Sequence, residues 1–178
     1  DYLDATVGGG GHAVAILRAN APDGRLLGLD RDPEAVQRTT DRLRTFQDRT
    51  KTVRASYVEL LSVAEREGFL PLDGVLFDLG FSSWQIDDPE RGFAFSKEGP
   101  LDMRFNPEGD APSAADLLNQ LSEEELVSLL FSYGEEPRSR QIARAIVAAR
   151  PLTTTSELAA VVAAAVGGRS GPMHPATL

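Results

Sequence analysis

Apolar positions in the first part of the chain form short runs that alternate with stretches of helical spacing. Tyr2-Leu3 closes a short apolar run. Ala13, Val14, Ile16 and Leu17 then recur with the period of a helix over residues 12 to about 20, stopped by Pro22 and Gly24. Residues 25–30, Arg-Leu-Leu-Gly-Leu-Asp, read as a buried strand that ends on a carboxylate. Asp32 followed by Pro33 supplies an N-cap and a proline at the first helical position, opening a helix to about Phe46. Residues 52–55 are a third short strand, and residues 58–67 a third helix ended by Gly68. Residues 72–79 are the fourth and most apolar strand, with Asp78 near its end. Strands alternating with helices in this way predict an α/β fold with a parallel sheet and right-handed crossovers.

The pattern changes after Gly80. Residues 81–112 have no strong period and are rich in Gly, Pro, Ser and aromatics, among them Trp84, Phe93, Phe95 and Phe105. A segment this long that keeps so much apolar content reads as an ordered active-site loop. From Ser113 the spacing is helical again. Ser113 with Asp116, Ser122 with Glu125 and Thr154 with Glu157 are capping-box-like starts. Between them Ile142, Ala143, Ile146 and Val147 mark an amphipathic helix, with Arg138, Arg140, Arg144 and Arg150 expected on its solvent side.

The turn between the first strand and the first helix carries the chemistry. Gly8-Gly-Gly-Gly11 between a strand and a helix lets the backbone adopt φ > 0 and lets a ligand approach bare amides at a helix N-terminus. The pattern of Gly8, Gly10 and Ala13 fits a dinucleotide fingerprint, a weak signal by itself, and Asp30 lies about 20 residues beyond Gly11, where an acid meets a ribose. Two ligand classes therefore remain. A dinucleotide wants amides facing phosphate, whereas S-adenosylmethionine is cationic at its sulfonium and ammonium and favours acids. Asp4, Asp30 and Asp78 all fall at strand ends around one expected crevice. Three carboxylates there favour the cationic, phosphate-free ligand.

Composition narrows the field further. The chain has 178 residues, no cysteine and two histidines, which excludes thiol catalysis and disulfides and predicts no metal site. Its net charge of −9 argues against gripping bare nucleic acid through bulk electrostatics. No apolar run approaches the roughly 18 residues of a membrane span, and no signal peptide precedes the fold, so a cytoplasmic location without membrane contact is expected.

Asp4-Ala-Thr6 with Gly10-Gly11-His12, Asp30-Arg-Asp-Pro33, Asp78-Leu-Gly-Phe-Ser-Ser83, Gln85-Ile-Asp-Asp88, Arg91-Gly-Phe93, Gly99-Pro-Leu-Asp-Met-Arg104 and His174-Pro-Ala-Thr177 occur in one order. Together they closely resemble the bacterial MraW/RsmH family of S-adenosylmethionine-dependent methyltransferases, which modify the exocyclic N4 amine of a cytidine in 16S ribosomal RNA of the small subunit. The resemblance spans nearly the whole chain. It departs from the family pattern at Trp84 for proline, at Tyr57 for phenylalanine, and at Leu178 for arginine.

The resemblance implies a class I, Rossmann-like methyltransferase sheet with an inserted all-helical domain. Its expected division is residues 1–105 for the cofactor-binding core, 106–170 for the helical insert and 171–178 for the start of a return to the core, in a fragment lacking both ends. It implies cofactor contacts at Gly10, Gly11, His12, Asp30, Tyr57, Asp78 and Gln85. Asp4, by its place at the end of the first strand, is expected to receive the methionine ammonium, and Asp78 or the Leu79 carbonyl to orient the amine. Trp84, Phe93, Phe95, Asp102 and Arg104 are the substrate candidates, and ribosomal RNA, within an assembled small subunit, is the expected partner. An NAD-type oxidoreductase and a non-catalytic S-adenosylmethionine- or RNA-binding module are the alternatives.

Overall fold

The computed structural model describes residues 1–167 and residue 176. The motif around His174 and the expected return over 171–178 lie outside the described residues, Ala176 excepted. Two compact units emerge, one of Asp1–Ser82 with Phe105–Pro107 and one of Ser83–Arg104 with Glu108–Leu178. No helix of the described residues is long and apolar enough to cross a membrane.

The first unit is the expected parallel sheet. Its elements are β1 (Tyr2–Asp4), α1 (Gly11–Ala19), β2 (Leu26–Asp30), α2 (Pro33–Arg42), β3 (Thr50–Arg54), α3 (Leu60–Arg66) and β4 (Gly74–Leu76). The strands lie in the order β3-β2-β1-β4, with Leu3 opposite Leu27 on one side and Val75 on the other. A parallel strand covered on both faces must be apolar almost throughout, and Leu26, Leu27 and Leu29 are fully buried. The period of two sends neighbours to opposite layers. Leu27 and Leu29 join Leu3, Val63, Ala64 and Phe69, while Leu26 joins Val7, Ala13, Leu17 and Leu43. Gly28 is required by packing, because a Cβ there would meet Val7 Cγ2 at 2.9 Å.

Three boundaries differ from the expected ones. The α2 helix stops at Arg42, and the chain continues as a 3-10 stretch, Arg44–Arg49, bent at Phe46 with φ −117°. Arg49 donates there to the carbonyls of Leu17 and Gly24, which draws the segment away from the axis of α2. The β3 strand begins at Thr50 because it pairs residue for residue with β2. The fourth strand is three residues long, not eight. Beyond Leu76 the Asp78 amide donates to the Thr6 hydroxyl at 2.7 Å, taking the backbone off the ladder. Among the described residues β4 pairs on one side only, and Val75, Phe77 and Leu79 of this apolar run are exposed.

The second unit is helical, with α4 (Ser83–Asp87), α5 (Ala114–Gln120), α6 (Glu123–Ser132), α7 (Ser139–Ala149) and α8 (Thr155–Ala165). The three capping boxes at Ser113, Ser122 and Thr154 form reciprocally, side chain to backbone in both directions. Leu101, Leu126, Ile142, Ala143, Ile146, Leu152 and Val162 make its core. The compact units divide after Ser82, whereas the division expected from the resemblance ran the cofactor-binding core to residue 105. Leu101 accounts for the difference, being buried in the helical core, while Pro100 bridges Thr154 and Gly99 accepts from the Thr155 amide. Arg150 also departs from expectation. Its guanidinium donates to the carbonyls of Leu118 and Leu121 and closes the end of α5, so it does not stand in solvent.

Candidate functional site

The chain leaves β1 through the glycine turn, crosses to β2 and β3 on one side, then returns to β4 on the other. That reversal opens a crevice at the carboxyl ends of β1 and β4, the place where open α/β sheets take ligands. Gly10 caps α1 with φ 75°, and Gly8 has φ 50°, conformations that side chains rarely adopt. The Gly8 amide donates to Asp30 Oδ2 at 2.9 Å, and the Asp32 amide to Asp30 Oδ1 at 2.9 Å. Asp30 thus ties the turn to the end of β2.

Asp4 closes β1 with only 1% of its surface exposed. Its Oδ1 accepts from the Thr6 amide at 3.2 Å, whereas Oδ2 is buried with no hydrogen-bond partner among the described residues. Burial pushes the carboxyls of both Asp4 and Asp30 above their ordinary value, and for Asp4 the nearby Asp30 and Asp78 add to the rise while His12 opposes it. Thr6 links two of the acids, since its amide donates to Asp4 and its hydroxyl accepts from the Asp78 amide. Asp78 lies two residues past β4, and its Oδ2 is 3.6 Å from His12 Nδ1. Sequence spacing did not join His12 to Asp78. The crossover does, by bringing the start of α1 beside the exit of β4.

Tyr57 opens the 3-10 turn Tyr57–Glu59 after β3, and its ring meets Phe77 edge to face with centroids 6.1 Å apart. Phe77 belongs to the run that reads as the most apolar strand, yet it is half exposed. Asp4, Gly10, Gly11, His12, Asp30, Tyr57 and Asp78 all belong to the sheet unit. Gln85 does not. It is buried in α4 of the helical unit.

The substrate candidates all fall in the helical unit. Phe93 and Phe95, with Leu101, Met103, Leu158 and Ala159, line an apolar cavity of about 90 Å³. Trp84 and Phe93 flank the Arg91 guanidinium, at 5.9 and 6.0 Å from their ring centroids. Arg91 is only 5% exposed, and it donates to the Arg104 carbonyl at 3.1 Å. Asp102 and Arg104 form a bidentate pair with contacts of 2.6 to 3.1 Å, and Arg104 also reaches the carbonyls of Gly109 and Ala111. The hydrogen bonds from Arg104 hold the Asp102 carboxyl below its ordinary value. This pair braces its own loop.

Comparison with known proteins decides the family. The sequence profile of the MraW methylase family matches residues 1–178. The chain belongs to the MraW methylase family. Among curated relatives, the protein named Ribosomal RNA small subunit methyltransferase H of Dehalococcoides mccartyi is 48% identical over 176 residues, covering 99% of this chain and 50% of the relative. Proteins of the same name from Thermomicrobium roseum and Syntrophobacter fumaroxidans are 49% and 51% identical, each over 99% of this chain and over 55% and 56% of their own lengths. The chain thus spans about half the length of the curated relatives it matches. In this member of the MraW methylase family the clustered acids sit on the sheet unit and the aromatic-lined cavity on the helical one.

Proposed function

We propose that the protein is an S-adenosylmethionine-dependent methyltransferase acting on the exocyclic N4 amine of a cytidine in 16S ribosomal RNA of the small subunit. The observation that carries this reading is the buried Asp4 carboxylate, whose Oδ2 has no donor among the described residues. A buried anion without a partner costs several kcal/mol or takes up a proton, so it calls for a cation. The methionine ammonium is one. The donor set fits the rest of the molecule. Asp30 accepts from the ribose hydroxyls, Tyr57 covers the adenine, and the amides at the start of α1 receive the methionine carboxylate. A dinucleotide fits less well, because its pyrophosphate would meet two carboxylates.

Bound there, the cofactor supplies an electrophilic methyl group on a sulfonium. A cytidine amine is a weak nucleophile because its lone pair is delocalised into the ring. An acceptor on its hydrogens favours the pyramidal form, and the Asp78 carboxylate or the Leu79 carbonyl serves as that acceptor. Asp78 or water then takes the proton released when the nitrogen is alkylated. The remaining contribution is alignment at roughly 3–3.5 Å, with the target base unstacked from its neighbours. The helical unit, with its Phe93- and Phe95-lined cavity, is the part that recognises the RNA, and the relatives named as small-subunit rRNA methyltransferases supply the substrate class.

Titration calorimetry of the full-length protein with S-adenosylmethionine and with NAD tests the cofactor. Binding of the first is expected, with Asp30→Ala weakening it by at least tenfold through its two lost roles. NAD binding without S-adenosylmethionine binding overturns the reading. Mass spectrometry of rRNA nucleosides from a deletion strain, with and without the restored gene, separates an enzyme from a binding module.

A further inference from the structure

Thr39 is fully buried in α2. A threonine inside a helix ordinarily returns its hydroxyl to a carbonyl one turn back. Its neighbour Thr40 does so, donating to the Val36 carbonyl at 2.7 Å. Thr39 instead donates across the fold to the Gly8 carbonyl at 2.6 Å. Three residues on, and so on the same face of the helix, Arg42 donates to the Gly9 carbonyl at 2.8 Å. The turn is pressed onto this face, since a Cβ at Gly10 would lie 3.1 Å from Thr39 Oγ1.

The planar peptide makes these bonds directional. The carbonyl of one residue and the amide of the next point opposite ways. Holding the Gly8 carbonyl on α2 therefore turns the Gly9 amide away from α2. Holding the Gly9 carbonyl turns the Gly10 amide toward Val7, whose carbonyl it meets at 2.8 Å, closing the turn. The amides of Gly9, Gly11 and His12 have no acceptor among the described residues.

We propose that Thr39 and Arg42 are positioning residues for the cofactor. By pinning the Gly8 and Gly9 carbonyls they hold the Gly9 amide out, with those of Gly11 and His12, toward the carboxylate of the methionine moiety. The inference rests on S-adenosylmethionine binding at this turn. Calorimetry on the full-length protein tests it with two ligands, S-adenosylmethionine and 5′-methylthioadenosine, which lacks the methionine carboxylate and ammonium. Thr39→Val keeps the shape and removes the donor. It is expected to weaken S-adenosylmethionine about tenfold and leave methylthioadenosine unchanged, with Thr39→Ser restoring the wild-type value.

Equal losses for both ligands make the bond a general structural brace and overturn the proposal, and so does no loss for either. Wild-type protein that binds neither ligand removes the cofactor reading itself, a different result from wild-type binding that Thr39→Val leaves intact. Should Thr39→Val fail to fold, Arg42→Met at the exposed end of α2 decides. A selective loss of about threefold supports the proposal, and an equal loss or none overturns it.

Discussion

The two units present their charged groups differently. In the helical unit several charges are matched within the unit. Arg104 is bound to Asp102 and two carbonyls, Arg150 to two carbonyls closing α5, Glu136 to Arg138, and each capping acid to its serine or threonine. In the sheet unit the buried Asp4 and the half-buried Asp30 have their carboxyls pushed up, and one oxygen of Asp4 has no donor among the described residues. A self-satisfied polar network specifies a shape. An unsatisfied one at a topological switch point specifies a ligand. Substitutions in the two units should therefore fail differently.

The largest expected effect is on stability, in the helical unit. Leu126 is 1% exposed at the centre of that core, and Leu126→Ala should cost about 3 kcal/mol through lost burial and the cavity left behind. Denaturant unfolding followed by circular dichroism measures it. A loss below about 1 kcal/mol would mean that this unit does not rely on a closed core.

Asp4→Asn tests the other side. It keeps the acceptor for the Thr6 amide and removes the charge, so S-adenosylmethionine should bind about a hundredfold more weakly. The ligand-free protein should not melt lower. A carboxyl whose folded pKa is raised binds its proton more tightly in the native state. Native stability therefore falls as pH rises from the ordinary aspartate value through the raised one, and the penalty persists above it. Removing the charge removes that penalty. Cofactor affinity has the opposite sign, weakening as pH falls through the raised value and the acids become neutral. A wild-type affinity that stays flat until the ordinary carboxylate range would break the contrast between the units.

What the sequence made legible follows from the range of each interaction. Caps at Ser113, Ser122 and Thr154 act over three residues, so a local pattern announced them. Alternating strands and helices announced a parallel sheet, with its strand-end acids and the glycine turn at one edge, though not the strand order. Contacts that fold-back creates left no local trace. Thr39 meets a glycine 31 residues away. Nothing near Arg91 in the sequence signals that Trp84, Phe93 and the Arg104 carbonyl enclose it. Residues 72–79 read as the most apolar strand, yet the strand that Phe77 extends has one neighbour among the described residues.

The smallest expected effect concerns His12. Its imidazole lies 3.6 Å from the Asp78 carboxylate, and both side chains are more than half exposed, at 58% and 66%. Water screens such a pair, whose contribution to stability is at most about 1 kcal/mol. His12→Gln should therefore leave the melting temperature almost unmoved. It should still weaken S-adenosylmethionine by about threefold, because the side chain stands at the start of α1 beside the amides offered to the ligand. Steady-state kinetics with small subunits, run alongside calorimetry, shows where the loss falls. A drop in turnover with cofactor affinity intact would assign His12 to Asp78 and the reacting amine instead. A drop in melting temperature with neither changed would make the pair structural, and the sheet unit would then carry at its rim the same self-contained pairing that marks the helical one.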